Sequence, residues 1–550
     1  MANHNFSTLI EKDQSLTINP MSKKYDAIII GGGHNGLINA AYLAKAGKDV
    51  LVLEKRHVLG GAAVSEEVFP GFTFSVCSYV VSLFRPHIIR ELNLVNHGYD
   101  IIPMDASFQP LPDDDYGLCR WGDASRSRRE IARFSKKDSE VYGEFSKVMT
   151  HMAKLAKEVI DNPAPDIASI NPKELSSLLR MGKVFKNLGP ELLQMNTKLL
   201  TMSSADFLDL WFESEVLKGP MAVSGIIGTF LGVRSPGTAY VLLHHYMGEL
   251  DGAFRSWGFS KGGTGGVSNA CASAAKSFGA EIRTNVDVSH VKIKNGKATG
   301  VILANGDEID AKIVVSNLDP NRTYLKMIGE DNLSPDIATE IKRFKLRGSS
   351  GKVNFALSGV PNFCNKRDGL EFMKGDIAIV PNVDYVEKAY DQAKYGEFSE
   401  RPYINIVVPS LTDPTLAPPG KHVMSCFVQY APFDIKEGAD YWPKLAEKFG
   451  DVVQNTIKEY VPDIDNLVEH RQVVTPWDMQ ETFGLTEGNI FQGELTLEQL
   501  LFQRPISGYA KYKTPIENLW MSGSGTHPGG GIMGSGGELS AKSILKEKVI

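Results

Sequence analysis

The stretch from Tyr25 to Glu54 constrains the fold more than any other part of the chain. Asp26-Ala-Ile-Ile-Ile30 is a short run rich in β-branched residues, the pattern of a strand buried on both faces of a parallel sheet. Gly31-Gly-Gly33-His-Asn-Gly36 follows at once, and the spacing of Gly31, Gly33 and Gly36 fits GxGxxG. Helical spacing comes next through Leu37, Ala40, Ala41, Leu43 and Ala44, stopping at Gly47. Val50-Leu-Val-Leu53 then reads as a second buried strand ending in Glu54. In such a unit Gly31 makes the tight turn, Gly33 admits a pyrophosphate close to the backbone, and Gly36 lets helix and strand pack. The helix N-terminus, with His34 and Asn35 in its first turn, offers free N–H groups and partial positive charge to phosphate. Glu54 stands 23 positions after Gly31. A carboxylate there accepts hydrogen bonds from ribose hydroxyls and repels a 2′-phosphate, so NADP fits poorly.

Lys55-Arg-His-Val-Leu-Gly60-Gly61-Ala62-Ala63 brings a second glycine pair just after the ribose acid, letting another loop pass close to the cofactor. This stretch resembles the two-dinucleotide-binding-domain flavoproteins, where it leads toward the flavin. The resemblance implies contacts from Lys55, Gly60, Gly61 and Ala62. Gly258-Phe-Ser-Lys-Gly-Gly-Thr-Gly-Gly266 precedes a helical pattern ending at Gly279. Alternating runs from Val288 to Val315, broken at Asn295-Gly296 and Asn305-Gly306, read as a β-meander. In that flavoprotein class the strand that holds Val288 meets the adenine through its backbone. Near the C-terminus, Asn518-Leu-Trp-Met-Ser-Gly523 reads as a strand, Gly525-Thr-His-Pro-Gly-Gly-Gly-Ile-Met-Gly534 as a loop, and Ser535–Ile550 as a helix. Gly525 and the N–H groups near Ile532 and Met533 suit the electron-rich edge of a flavin.

Together these segments, with Pro70-Gly-Phe-Thr-Phe-Ser75 and Leu411-Thr-Asp-Pro-Thr-Leu-Ala-Pro-Pro-Gly-Lys-His422, resemble the phytoene desaturase-like FAD oxidoreductases of carotenoids and retinoids. The likeness is strongest to the branch called pyridine nucleotide-disulfide oxidoreductase domain-containing protein 2, and it runs from about Tyr25 to the end. It implies an enzyme that binds FAD and dehydrogenates or isomerises an apolar, carotenoid- or retinoid-like substrate by hydride transfer to flavin N5. It leaves the electron acceptor open among oxygen, a quinone and another carrier. Ala62-Ala63 departs from the Gly-Gly-Arg of amine oxidases and many desaturases. The alternatives are a flavin amine or amino-acid oxidase, a flavoprotein with a regulatory, protein-binding role and, weakest, a nicotinamide-only dehydrogenase.

The fold class expected is α/β: a Rossmann-like FAD-binding domain with a discontinuous α+β substrate domain. At 550 residues the chain exceeds one core. The expected FAD domain is assembled from residues 22–105, 255–330 and 505–550. Residues 106–254, mostly helical in pattern, and 331–504, with strand-like runs, form the substrate domain. Residues 1–21 read as a flexible extension without the apolar core of a secretory signal. His527 is the catalytic candidate, since histidine titrates in the useful range; a loop-fixing role stands beside that reading. Lys261 faces either the cofactor or solvent. His244 and His245 lie on an apolar helix and read as core histidines, and Trp477, Asp478 and Arg504 as supports. With a net charge of −6 and no basic block, nucleic acid is excluded as a partner. Five scattered cysteines form no CxxC, so neither a metal site nor a redox pair is signalled, and a reducing cytoplasm is expected. No apolar run reaches the roughly 18 residues of a membrane span, and Met221–Val233 reads as a core segment. An apolar substrate still allows transient membrane contact at the entrance.

Overall fold

The computed structural model describes residues 24–550 apart from 113, 168, 187–188, 251, 255 and 364–366. The expected extension 1–21 and Cys364 therefore lie outside the described residues. Buried β-branched runs build the first sheet. Its parallel strands lie in the order Glu281–Arg283, Val50–Leu53, Tyr25–Ile30, Glu308–Ser316, Leu519–Met521. The strand Glu308–Ser316 changes partners along its length. Residues 308–310 pair antiparallel with Lys297–Leu303, the middle of the meander, and residues 311–316 pair in parallel with Tyr25–Ile30. The turn at Asn295-Gly296 has positive φ at both positions, as a tight hairpin of this handedness requires.

Helix His34–Lys45 covers this sheet, flanked by Gly265–Ser277 and Ser535–Glu547. The contacts use small residues, Ala40, Ala41, Ala270, Ala274 and Ala541, so the backbones come close. At Gly537 a Cβ would stand 2.2 Å from the carbonyl oxygen of Asn35. Asn39 completes the seam by donating to the Gly537 carbonyl at 3.1 Å. The chain ends of this sheet therefore meet on one helix.

The second sheet runs Val468–Val474, Ser350–Leu357, His422–Gln429, Tyr403–Val407, Asp376–Ile379, Ala106–Leu111, Asp114–Trp121. All its pairings are antiparallel except Asp376–Ile379 beside Ala106–Leu111. Side chains alternate across it. Ile377, Ile379, Ile404, Ile406, Cys426 and Val428 pack with Trp442 and Phe449 of helix Trp442–Lys458. Asp376, Ala378, Tyr403, Asn405 and Phe427 face the other way, toward helices Lys136–Ile160 and Thr238–Tyr246. Met221, Val223, Ile226 and Val233 are buried in that helical core. Among the described residues no helix is long and apolar enough to cross a membrane.

Candidate cofactor and substrate site

The crevice at the carboxyl ends of Tyr25–Ile30 and Glu308–Ser316 is where an open α/β sheet binds ligands. Both strands stop there in polar loops. Gly31, Gly33, His34 and Asn35 form one side, Glu54, Gly60, Gly61 and Ala62 another, and Asn317 a third. The glycine loops are locked together: the Gly60 N–H donates to the Gly32 carbonyl at 2.9 Å, and Gly61 leaves 3.7 Å between an added Cβ and the Gly33 Cα. A Cβ on Gly33 would lie 2.8 Å from the Asn317 amide nitrogen, and one on Gly36 only 2.4 Å from the Gly31 carbonyl oxygen. Gly33 therefore keeps the crevice clear, while Gly36 serves helix packing and does not line it.

The electrostatics favour an anion beside a ribose. No acidic residue occupies the first turn of helix His34–Lys45, and its first N–H groups precede the bond from Leu37 to the Gly33 carbonyl. Glu54 is 9% exposed and accepts from the N–H of Gly32 at 2.7 Å and of Arg56 at 2.8 Å, which aims its carboxylate into the crevice. Two polar atoms in the lining, Nε2 of His34 and Oδ1 of Asn317, are buried without a protein partner. Burial lowers the His34 imidazole to a pKa of about 4, so it stands neutral beside the helix N-terminus. A helix N-terminus, a ribose-type acid, a doubled glycine cradle and two orphaned polar atoms fit a dinucleotide. Asn317 was invisible to sequence reasoning, because only strand pairing brings it to Gly31, whose carbonyl it reaches at 3.3 Å.

Other expected contacts stand elsewhere. Lys55 is exposed and pairs with Asp287 at 3.1 Å. Val288 is buried in the core under the first sheet, and Met533 is buried with its carbonyl accepting from the Arg85 N–H at 3.2 Å. Neither Val288, Met533 nor Gly525 lines the crevice; Ile532 does, together with Gly531. Lys261 is exposed. His527 is fully buried outside the crevice, with Nε2 2.9 Å from the Asn162 carbonyl oxygen, and burial lowers its pKa to about 4. That is the geometry of the loop-fixing role rather than of a proton donor at a reacting atom. Arg504, read as a support, is fully buried and donates to the carbonyls of Phe491, Gly493, Glu494, Gln499, Ser524 and Thr526 at 2.9–3.4 Å. It binds the loop after Ile490 to the C-terminal glycine loop. Asp478 caps helix Pro476–Phe483 reciprocally with Thr475, and Trp477 stacks on Phe433.

A second cavity of about 610 Å³ opens between the mixed sheet and the helices. Ser78, Ile490, Phe491, Gly531 and Ile532 line both it and the crevice, so the two spaces meet at these residues. Leu83, Tyr79, Phe427 and Trp257 make much of its wall apolar. His245 lines it too, stacked against Trp257 and Phe491, with burial holding its pKa at about 4. Behind Tyr79 lies the ammonium of Lys352, fully buried, 4.7 Å from that ring and 2.6 Å from Ser425 Oγ; burial lowers it to about 8. His244 stays outside the cavity, its Nε2 3.2 Å from the Gly530 carbonyl oxygen.

Comparison with known proteins agrees with this architecture. Residues 29–92 match the family described as NAD(P)-binding Rossmann-like domain. Pyridine nucleotide-disulfide oxidoreductase domain-containing protein 2 of Rattus norvegicus is 35% identical, over 96% of this chain and 94% of that protein. The chain belongs to that family. Its members here are oxidoreductases by name, and this chain is an oxidoreductase on a Rossmann-like α/β fold, as the sequence leads one to expect. The phytoene desaturase (lycopene-forming) of Pseudescherichia vulneris is 25% identical, over 92% of this chain and 96% of that protein. Among solved structures, cyclohexylamine oxidase from Brevibacterium oxydans shares the fold, with a TM-score of 0.55, 16% identity, and 96% and 98% of the two chains covered. The family's name suggests disulfide chemistry. Cys77, Cys119, Cys271 and Cys426 are buried, unpaired thiols, and burial pushes the first three up to about 12.

Proposed function

We propose that the protein is an FAD-dependent dehydrogenase, or an isomerase using the same site, acting on an apolar carotenoid- or retinoid-like substrate. The observation that carries this reading is the meeting of crevice and cavity at Ser78, Ile490, Phe491, Gly531 and Ile532. A cofactor ring reaching that junction from the crevice would face a substrate lying in the cavity. In this reading the first turn of helix His34–Lys45 holds the pyrophosphate, Glu54 the ribose, and the Gly531–Ile532 backbone the ring. FAD bound there supplies a two-electron acceptor. In a desaturation that group would take the hydride, and Leu83, Phe427 and Phe491 of the cavity wall would exclude water from it. The names of relatives support the substrate class: phytoene desaturase, the prolycopene isomerase of Daucus carota, and a limonene dehydrogenase component of Castellaniella defragrans.

The test is to follow the flavin band of the purified protein without oxygen while adding polyenes, amines or NAD(P)H. Bleaching by a polyene is the expected result. Bleaching by amines alone would replace this reading with an oxidase. No flavin band after reconstitution with FAD would remove the cofactor assignment.

A further inference from the structure

One end of the 610 Å³ cavity is polar in a way that a hydrocarbon substrate leaves unexplained. Arg120, Ser107, Asp376 and Asn405 all line it. Arg120 donates from Nη2 to the Ser107 hydroxyl at 2.9 Å. Ser107 donates onward to Oδ2 of Asp376 at 3.2 Å, and the Asn405 amide donates to the same oxygen at 3.3 Å. These bonds occupy one guanidinium nitrogen and one carboxylate oxygen. The period of two along Asp376–Ile379 and Tyr403–Val407 turns Asp376 and Asn405 into the cavity while Ile377 and Ile404 fill the core behind. The cluster is thus built into the sheet and is no surface accident.

A bare polyene filling the cavity would strip water from Arg120 and Asp376 and offer nothing in return, which costs free energy at each group. The chemistry of the partner follows from what the two side chains lack. Arg120 has donors to give, and Asp376 has an acceptor oxygen to offer. A carboxylate head would be repelled by Asp376 and by Asp105, which also lines the cavity, and an ammonium head, though drawn to these two carboxylates, has no acceptor to give the Arg120 donors. A ketone or ether accepts but cannot donate. A hydroxyl does both. Resting on the apolar-substrate reading above, we propose that the substrate is an alcohol: an apolar body with a terminal hydroxyl held between Arg120 and Asp376. The hydroxyl anchors the molecule and is not itself the reacting group, because none of the residues at the junction with the crevice belongs to this cluster.

The experiment uses the flavin-loaded protein and three probes that share one polyene: all-trans-retinol, its methyl ether, and the polyene with a methyl group in place of the hydroxymethyl. Binding is read by quenching of tryptophan emission, since Trp121 and Trp257 line the cavity. The alcohol should bind about 10- to 100-fold more tightly than the hydrocarbon, with the ether between them. Arg120→Met and Asp376→Leu should each erase that preference while leaving hydrocarbon affinity unchanged or improved. Equal affinity for alcohol and hydrocarbon in the unaltered protein would overturn the proposal, as would a preference that survives both substitutions. The three-probe comparison needs no variant, so it stands even where a substitution fails to fold. Failure of every probe to bind would overturn the apolar-substrate reading itself, and this inference with it.

Discussion

Gly60 has a φ of +123°, and a Cβ placed on it would sit 2.2 Å from the carbonyl oxygen of Ala63. Both facts act against any side chain, because L-residues avoid that backbone region and the contact is with backbone that cannot move aside. Gly60→Ala should therefore disrupt the join between the two glycine loops. We expect the purified variant to lose most of its bound flavin, read as the ratio of visible to ultraviolet absorbance, and retention at the level of the unaltered protein would show that the join is not needed. Gly33→Val should act more selectively. Gly33 has ordinary backbone angles, and its added atoms would press on Asn317 inside the crevice. Cofactor loss with little change in far-ultraviolet circular dichroism is the expected signature. Gly31, Gly33 and Glu54 were legible because their spacing carries the meaning. Asn317 was not, since nothing near it in sequence signals that its strand ends beside Gly31.

At the level of elements, the loop after Ile490 and the C-terminal glycine loop have little regular structure of their own, and Arg504 gathers six of their carbonyls. Burial lowers that guanidinium to about 9, so its charge is costly, and the bonds to the carbonyls offset the cost. Arg504→Met would remove that donor from all six carbonyls, of which the Glu494 carbonyl still accepts from the Gln499 amide at 3.0 Å. We expect a loss of at least about 3 kcal/mol in stability, measured by thermal unfolding, with weaker cofactor retention because Phe491 and Gly531 line the crevice. Arg504→Lys should not rescue it, since one ammonium serves at most three acceptors. The β-meander and the buried strands of the mixed sheet were readable from alternation and Asn-Gly turns. The strands Ala106–Leu111 and Asp114–Trp121 were not: the first contains Pro110, the second begins with acidic residues, and both depend on a neighbour far along the chain. The cavity's polar end stands partly on those two strands, Ser107 on the first and Arg120 on the second, so it was not legible in the sequence.

The molecule as a whole buries histidines that it keeps neutral. His245 and His527 are held at about 4 by burial, with His244 pushed in the same direction, against an ordinary value near 6.5. As pH falls below 6.5 the unfolded chain takes up protons that the folded one refuses, so stability is complete above that value and declines between pH 6.5 and 4. The full effect is on the order of 3 kcal/mol per histidine. Melting temperature should drop steeply between pH 7 and pH 4.5, and less steeply in His527→Gln; a flat profile over that window would contradict the burial of neutral imidazoles. The first sheet has a different consequence, for biosynthesis. Its strand Leu519–Met521 pairs with Glu308–Ser316, which lies beside the opening strand Tyr25–Ile30, so the layer is finished only when nearly the whole chain has been made. Translation at about 5–20 residues per second leaves the early strands waiting for tens of seconds. Through that interval helix His34–Lys45 lacks its neighbour Ser535–Glu547. Loss of residues 519–547 would therefore take a strand and a covering helix from this layer rather than trim a loose segment.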